Sequence, residues 1–373
     1  MTPNLSLDGT TMLLSWLEPP HPRVKPQEGN YALRFSRLVN GRWSEPVTIA
    51  AGTDFFANWA DFPSVTAGAG GRMVAHWAAK SGADTYAYDV RLARSDDGGR
   101  TWRPMGSAHD DRTPTEHGFV SAVPERDRVR IFWLDGRETA ARPGGHDGHS
   151  AGGAMTLRSA LVGDRIEKSD LLDPRVCDCC QTAAAMTSRG PIVAYRDRSE
   201  DEIRDVAVVR REAGRWTAPK PVREDGWEIA GCPVNGPAVA AAGDRVAVTW
   251  YTQAANRPRV QVAFSNDAGT SFGAPATIDA AGPLGRVDVV LDDNGDALVS
   301  WVAAREKSAA IRVVRVTPGG KVGSPVTVAP TETSRASGFP RLERAAGTLV
   351  VAWVEPAEPF RIRAATLRVA ALR

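Results

Sequence analysis

The sequence predicts an all-β fold: a single β-propeller over residues 1–373, built from four-stranded antiparallel blades, seven in number with six as the alternative. Three observations lead there. A short apolar run ending in an aromatic residue recurs about every 50–60 residues, the period of a blade array. The segments between these runs alternate apolar and polar residues and are bounded by Gly, Pro and Asp, the strand-and-turn signature. No segment holds a helical period for three turns.

The recurring run is the second strand of each unit: Met12–Trp16, Met73–Trp77, Val129–Trp133, Ile192–Tyr195, Val246–Trp250, Ala297–Trp301 and Leu349–Trp353. Before it comes a small-residue first strand often opened by proline, as in Asp61–Val65, Asn235–Val239 and Gly338–Leu342. An alternating third strand follows, such as Asp89–Arg94 or Arg259–Phe264, and then a fourth, such as Glu45–Ile49, Ala274–Ile278 or Ser324–Val328. Seven copies of the first three strands are legible but only six of the fourth. The ring therefore closes through a three-stranded blade or through a strand supplied from elsewhere.

Composition narrows the function. The chain is 42% hydrophobic, enough for a large core. Its 46 basic and 44 acidic residues leave a net charge of +2, and no basic face is concentrated as nucleic-acid binding requires. No apolar run reaches the length of a membrane span. A monomer acting on a small ligand or metal ion is the expectation.

Two turns carry a specific motif. Ser95-Asp-Asp97-Gly-Gly99-Arg-Thr101-Trp102 matches Ser-x-Asp-x-Gly-x-Thr-Trp, and Ser265-Asn-Asp267-Ala-Gly269-Thr-Ser271-Phe272 is its relaxed form. The carboxylate accepts turn N–H groups, the glycine supplies positive φ, and the aromatic ring packs beneath. Gly41-Arg-Trp43 and Gly214-Arg-Trp216 keep traces of it. The repeat resembles the Asp-box, or bacterial neuraminidase repeat, superfamily of sialidase-like propellers. The segments around Thr113–His117, Cys177–Cys180 and Gly231–Gly236 further resemble a bacterial subgroup of those proteins, a likeness that brings no activity with it. The resemblance implies export to the periplasm or medium with a signal peptide already removed; a cytoplasmic location is the alternative. It also implies that the Asp boxes lie on the face opposite the site.

In a propeller the loops leading into the first strands meet at one end of the axis. The segments assigned there are Trp59–Asp61, Thr115–His117, Cys177–Gln181, Gly231–Cys232, Pro283–Arg286 and Ser337–Gly338. The second-strand exits add Asp135–Arg137, Arg196–Arg198 and Gly144–His149, and the start of one third strand adds Tyr86, Tyr88 and Asp89.

Three readings of the cysteines stay open. Cys177, Cys179, Cys180 and Cys232 with His117 are a soft-metal set, copper first and zinc second, since thiolates select such ions. One or two disulfides are the second reading, for example Cys232 with Cys177 or Cys180. A reactive thiol activated by His117 or an arginine is the third. His76 reads as a core-edge residue, His21 and His109 as exposed loop residues, and His146 and His149 as a loop able to fold over the face.

The sialidase resemblance implies an arginine clamp for a substrate carboxylate, a Tyr–Glu nucleophile pair and an acid/base Asp. Arg137, Arg196, Arg198, Arg286 and Arg341 supply guanidinium groups; Tyr86, Tyr88 or Tyr195 the phenol; Asp61, Glu116, Asp135 or Asp197 the carboxyls. The family's N-terminal Arg-Ile-Pro is absent, Phe339-Pro-Arg341 being the nearest substitute. The catalytic candidates are Glu116, His117, Asp135, Arg137, Arg196 and Arg286. The leading functional reading is a propeller with a thiolate and histidine metal site at the axial mouth. An exo-acting sialidase-type glycoside hydrolase on the same face is the alternative, and a disulfide-stabilised interaction scaffold the third. Trp59 and Trp227 would line a ring-shaped ligand, or pack against a neighbouring blade.

Overall fold

The computed structural model describes residues 2–20, 30–140, 153–305, 308–356 and 360–372. His21, His146 and His149 lie outside the described residues. Seven antiparallel sheets follow one another along the chain. Their first strands are Asn4–Asp8, Ser64–Ala67, His117–Glu125, Ala183–Thr187, Ala238–Ala242, Pro283–Leu291 and Arg341–Ala345, for blades 1 to 7. In blades 1 and 4 the fourth position is split between two short strands that both pair with the third. Blade 7 has three strands among the described residues, Arg341–Ala345, Thr348–Glu355 and Arg361–Arg368.

Each sheet is buried on both faces, which explains the apolar second strands. The core divides into seven clusters, one between each pair of adjacent blades. Strand alternation does the dividing. Leu13 joins Val65, Met73 and Ala75 of blade 2, while its neighbours Met12 and Leu14 join Val350 and Ala352 of blade 7. Among the described residues the ring therefore closes by packing between blades 1 and 7, with no shared sheet. The repeating aromatic residue carries a polar tip that finds an acid: Trp133 Nε1 donates to Asp135, Trp250 Nε1 to Asp225, Trp301 Nε1 to Asp279 and Tyr195 Oη to Asp173, at 2.5–2.8 Å.

The first strands start later than the proline-led pattern predicts, and this matters for the axis. Asp61 and Asn235 remain in the segments ahead of their strands, free to reach the next blade. Asp61 Oδ2 accepts the Phe119 N–H (3.0 Å), Gln181 Oε1 the Gly236 N–H (2.9 Å), Asn235 Oδ1 the Arg286 N–H (2.8 Å), and Asp288 Oδ2 the Leu342 N–H (2.8 Å). Gln181 also donates across the axis to the Ala60 carbonyl at 2.9 Å. The first strands of blades 3 and 6 are bulged where they receive these bonds, with Phe119 and Arg286 at positive φ (54° and 55°). The glycine before each bulge permits the approach: a Cβ on Gly118 would strike the Asp61 carboxylate, and one on Gly285 would come within 2.4 Å of Asn235 Oδ1.

Both Asp boxes form as the sequence predicts. Asp267 accepts the Ser265 and Ser271 hydroxyls and the Ser271 N–H, at 2.6–2.9 Å, and Asp97 is held the same way by Ser95, Arg100 and Thr101. Gly99 and Gly269 have φ of 79° and 80°. Trp102 packs edge-on against Phe35 of blade 1, 5.9 Å between centroids. Burial pushes the Asp267 carboxyl up, but the bonds from Ser271 and Ser265 outweigh it and hold it down at about 2. A carboxyl depressed in the folded state contributes stability above its ordinary range and loses it as pH falls through the folded value. Asp267→Ala should therefore cost about 1 kcal/mol at pH 7, after allowance for solvent screening. Thermal unfolding as a function of pH checks this: the gap between variant and parent should close as pH approaches about 2.

Candidate functional site at the axial mouth

The segments leading into the first strands of blades 2 to 5 bring three groups of side chains to one end of the axis. The first surrounds Gly118. Tyr88, which opens the third strand of blade 2 (Tyr88–Ser95), donates its hydroxyl to Glu116 Oε1 at 2.7 Å. The Phe56 ring stacks on Tyr88 at 4.1 Å, and the Asp61 carboxylate lies on the same side of Gly118 as Tyr88, since one Cβ added there would strike both. Burial raises both carboxyls to about 7 despite the bonds that favour their charged forms: backbone N–H groups of Phe119 and Val120 for Asp61, the Tyr88 hydroxyl for Glu116. Asp61, and Asp178 from the cysteine segment, add to the rise at Glu116. Two carboxyls poised near neutrality beside a phenol can donate and accept protons at physiological pH.

Arginines flank this group. Arg286 and Arg335 lie over the Trp59 ring, 5.1 and 5.7 Å from its centroid, and Arg341 lies 5.1 Å over Phe62. Trp59 and Phe62 bracket Asp61 and both pack on Phe339. Burial and the neighbouring Arg335 lower Arg286 to about 10. Trp59 thus serves as a platform for cations, while Trp227 packs edge-on against Tyr251.

The second group lies in the segment leading into blade 4. Cys179 and Cys232 form a disulfide with Cα atoms 6.0 Å apart, tying blade 4 to blade 5. The expected partners of Cys232 were Cys177 or Cys180; both are free, buried thiols. The segment is a turn in which Cys177 and Cys180 point into the protein and are fully buried, while Cys179 is half-buried at the edge of a core cluster and meets Cys232. The sulfur atoms of Cys177, Cys179 and Cys180 lie within 4.8 Å of one another. Arg204 Nη1 stands 3.5 Å from Cys177 Sγ, and Arg198, Arg204, Asp178 and Glu202 form an ion-pair network above it.

The third group holds His117, and His117 does not join the sulfurs. It stacks on His109, which is buried and not the exposed loop residue the sequence predicts. Asp135 and Arg137, offered as catalytic candidates, are here too. Arg137 Nε and Nη2 fork the Asp135 carboxylate at 2.7 and 2.8 Å, so this guanidinium is committed to a neighbouring acid.

Arg196 is likewise spoken for. It is 1% exposed, lies 4.8 Å over Trp227, and donates to the carbonyls of Asn235, Arg204 and Tyr251. It joins blades 4 and 5 and offers no face to a substrate. His76, read as a core-edge residue, is buried with Nε2 at 3.0 Å from the Phe62 carbonyl. Tyr195 is committed to Asp173 inside a core cluster, and Tyr86 is 59% exposed.

A thiol count on protein denatured without reductant should find two thiols per chain, Cys177 and Cys180. Replacing Cys232 by Ser should raise the count to three and lower stability by about 4 kcal/mol, the chain-entropy value for a closed loop of 53 residues.

No family model matches the chain, and no curated protein matches it by sequence. Solved structures match it throughout. A Hadza microbial sialidase aligns over 92% of this chain and 74% of its own at 13% identity, TM-score 0.55. An ulvan lyase aligns over 98% and 93% at 10% identity, TM-score 0.60. An α-L-arabinofuranosidase from Fusarium graminearum aligns over 86% and 97% at 12% identity, TM-score 0.53. At these identities the likeness is one of fold, and the fold is a seven-bladed β-propeller.

Proposed function

We propose that the chain cleaves a glycosidic bond in an anionic saccharide at its axial mouth. The observation that carries this reading is the Tyr88–Glu116 hydrogen bond beside Asp61, with both carboxyls raised to about 7. Half-buried Glu116 takes a proton from the water that attacks the anomeric carbon, and protonated Asp61 delivers one to the leaving oxygen; Tyr88, itself 0% exposed, orients Glu116 through its hydroxyl. Arg335 over Trp59 and Arg341 over Phe62 supply positive charge for a substrate carboxylate or sulfate, while Arg286, 6% exposed and donating to Ser334, Ser337 and Gly338, holds the segment that carries Arg335. The solved neighbours whose names give a saccharide activity, a sialidase, an arabinofuranosidase and an ulvan lyase, support the substrate class by analogy of fold.

The test is a screen of chromogenic sialosides, uronides and sulfated oligosaccharides. Cleavage should follow a narrow bell centred near pH 7, because the mechanism needs Glu116 ionised and Asp61 protonated and both titrate there. Glu116→Gln and Tyr88→Phe should each lower kcat at least about a hundredfold. A panel left uncleaved, or a Glu116→Gln enzyme as fast as the parent, overturns the reading.

A second reading keeps a soft metal at the cysteines, with copper(I) ahead of zinc. It is favoured by the grouping of three sulfurs. Burial pushes the Cys177 thiol up, but bonds from Cys180 and the Cys179 N–H, with Arg204 nearby, bring it down to about 7. With the disulfide formed, Cys177 and Cys180 are the ligands; reduction would release Cys179 and Cys232 to join them. Copper(I) titration before and after reduction tests this. Uptake should require Cys177 and Cys180 in both states, and no uptake in either ends the reading.

A further inference from the structure

The third group at the mouth has a chemistry that neither reading uses. His109 and His117 stack face to face, with centroids 3.6 Å apart and planes within 1°. His117 is 0% exposed and His109 is 8% exposed. Each ring has one nitrogen committed: His109 Nδ1 lies 2.7 Å from Asp111 Oδ1, and His117 Nδ1 lies 3.1 Å from the Thr115 carbonyl. A neutral imidazole that donates from Nδ1 carries its lone pair on Nε2. Both Nε2 atoms are buried without a hydrogen-bond partner.

What faces them is acid. His109 Nε2 lies 3.6 Å from Asp89 Oδ1; His117 Nε2 lies 3.3 Å from Asp111 Oδ2 and 3.6 Å from Asp135 Oδ1. Nitrogens set against carboxylates in a dry setting need positive charge between them, a proton on the imidazole or a metal ion. The spacing is that of a coordination shell. Two ligand atoms, each about 2.0–2.1 Å from a tetrahedral ion, stand about 3.3–3.4 Å apart. The donors form two overlapping triads, Asp89 with His109 and His117, and Asp111 with His117 and Asp135, with the ligand atoms of each triad within 4.8 Å of one another.

The surroundings fit as well. Arg137 forks Asp135, and Arg91 stands 3.2 Å from Asp89, so the carboxylates are oriented from outside, as the outer partners of metal ligands are. A cleft of about 660 Å³ lined by blade 2 and the segment that follows it reaches His109 and Asp89 from solvent and gives a path inward. We propose that this cluster binds one divalent first-row transition ion, zinc by default. His109 and His117 would give imidazole nitrogens, and Asp111 with Asp89 or Asp135 carboxylate oxygens. The paired imidazoles argue against calcium or magnesium, which prefer all-oxygen shells. The site uses no cysteine and stands independently of the cleavage reading.

The experiment uses the full chain, stripped with chelator and dialysed against Zn²⁺ or Co²⁺. Elemental analysis should find one ion per chain beyond any taken by the cysteines. With Cys177→Ser/Cys180→Ser in place, the Co²⁺ form should still absorb in the visible and show no sulfur-to-metal charge-transfer band. His109→Gln and Asp111→Asn should each weaken binding more than about tenfold. Should those variants fail to fold, the cobalt spectrum of the Cys177→Ser/Cys180→Ser variant decides alone. No stoichiometric uptake, or a spectrum that is purely thiolate and vanishes with the cysteines, overturns the proposal.

Discussion

The ring depends on hydrogen bonds that cross from one blade to the next at the axis. Apolar packing between sheets is non-directional and would tolerate sliding of one blade past its neighbour. The bonds from Asp61, Gln181, Asn235 and Asp288 to N–H groups of the following blade do not tolerate it, because each donor is a single backbone amide. They fix the register of adjacent blades. In doing so they hold the segments from which the mouth is built. Asp61 shows the double duty: the carboxylate that latches blade 2 to blade 3 is also one of the two carboxyls poised beside Tyr88. Gln181 goes further and binds blades 2, 4 and 5 together next to the cysteines.

The blade count was legible because propeller strands obey local rules. Trp16, Trp77, Trp133, Tyr195, Trp250, Trp301 and Trp353 mark seven second strands, and period-2 alternation marks their partners. The Asp boxes were legible for the same reason: every bond made by Asp97 and Asp267 lies within a few residues. The starts of the first strands were less so. Proline after Asp61 and Asn235 reads as a strand opener, yet these residues point along the ring to a partner more than fifty residues away. Such a partner leaves no local pattern.

The site was legible as a neighbourhood and not as a set of pairs. Glu116, His117 and the cysteines were assigned to one end of the axis; in the structure Glu116 meets Tyr88, His117 stacks on His109, and Cys179 bonds to Cys232. Which of them touch depends on side-chain direction over distances of one blade. His109 carried no signal, since its loop has no periodicity and its partner belongs to the next blade. Asp111 was passed over for the same reason. Arg196 misled in the opposite sense: an arginine beside an acid at a strand exit reads as a surface clamp, whereas its guanidinium is consumed by three backbone carbonyls. Tyr88 was one of three tyrosine candidates until its bond to Glu116 distinguished it.

The three-stranded last blade has a consequence of its own. Its outer strand, Arg361–Arg368, shows only one face and one edge to the ring and the rest to water. Among the described residues this edge has no partner strand; such an edge is a template for a foreign strand, and β-proteins defend it with charge. Arg361, Arg363 and Arg368 are exposed along it, with Arg363 paired to Glu355 on the adjoining strand. High salt screens those charges and so weakens the defence of this edge.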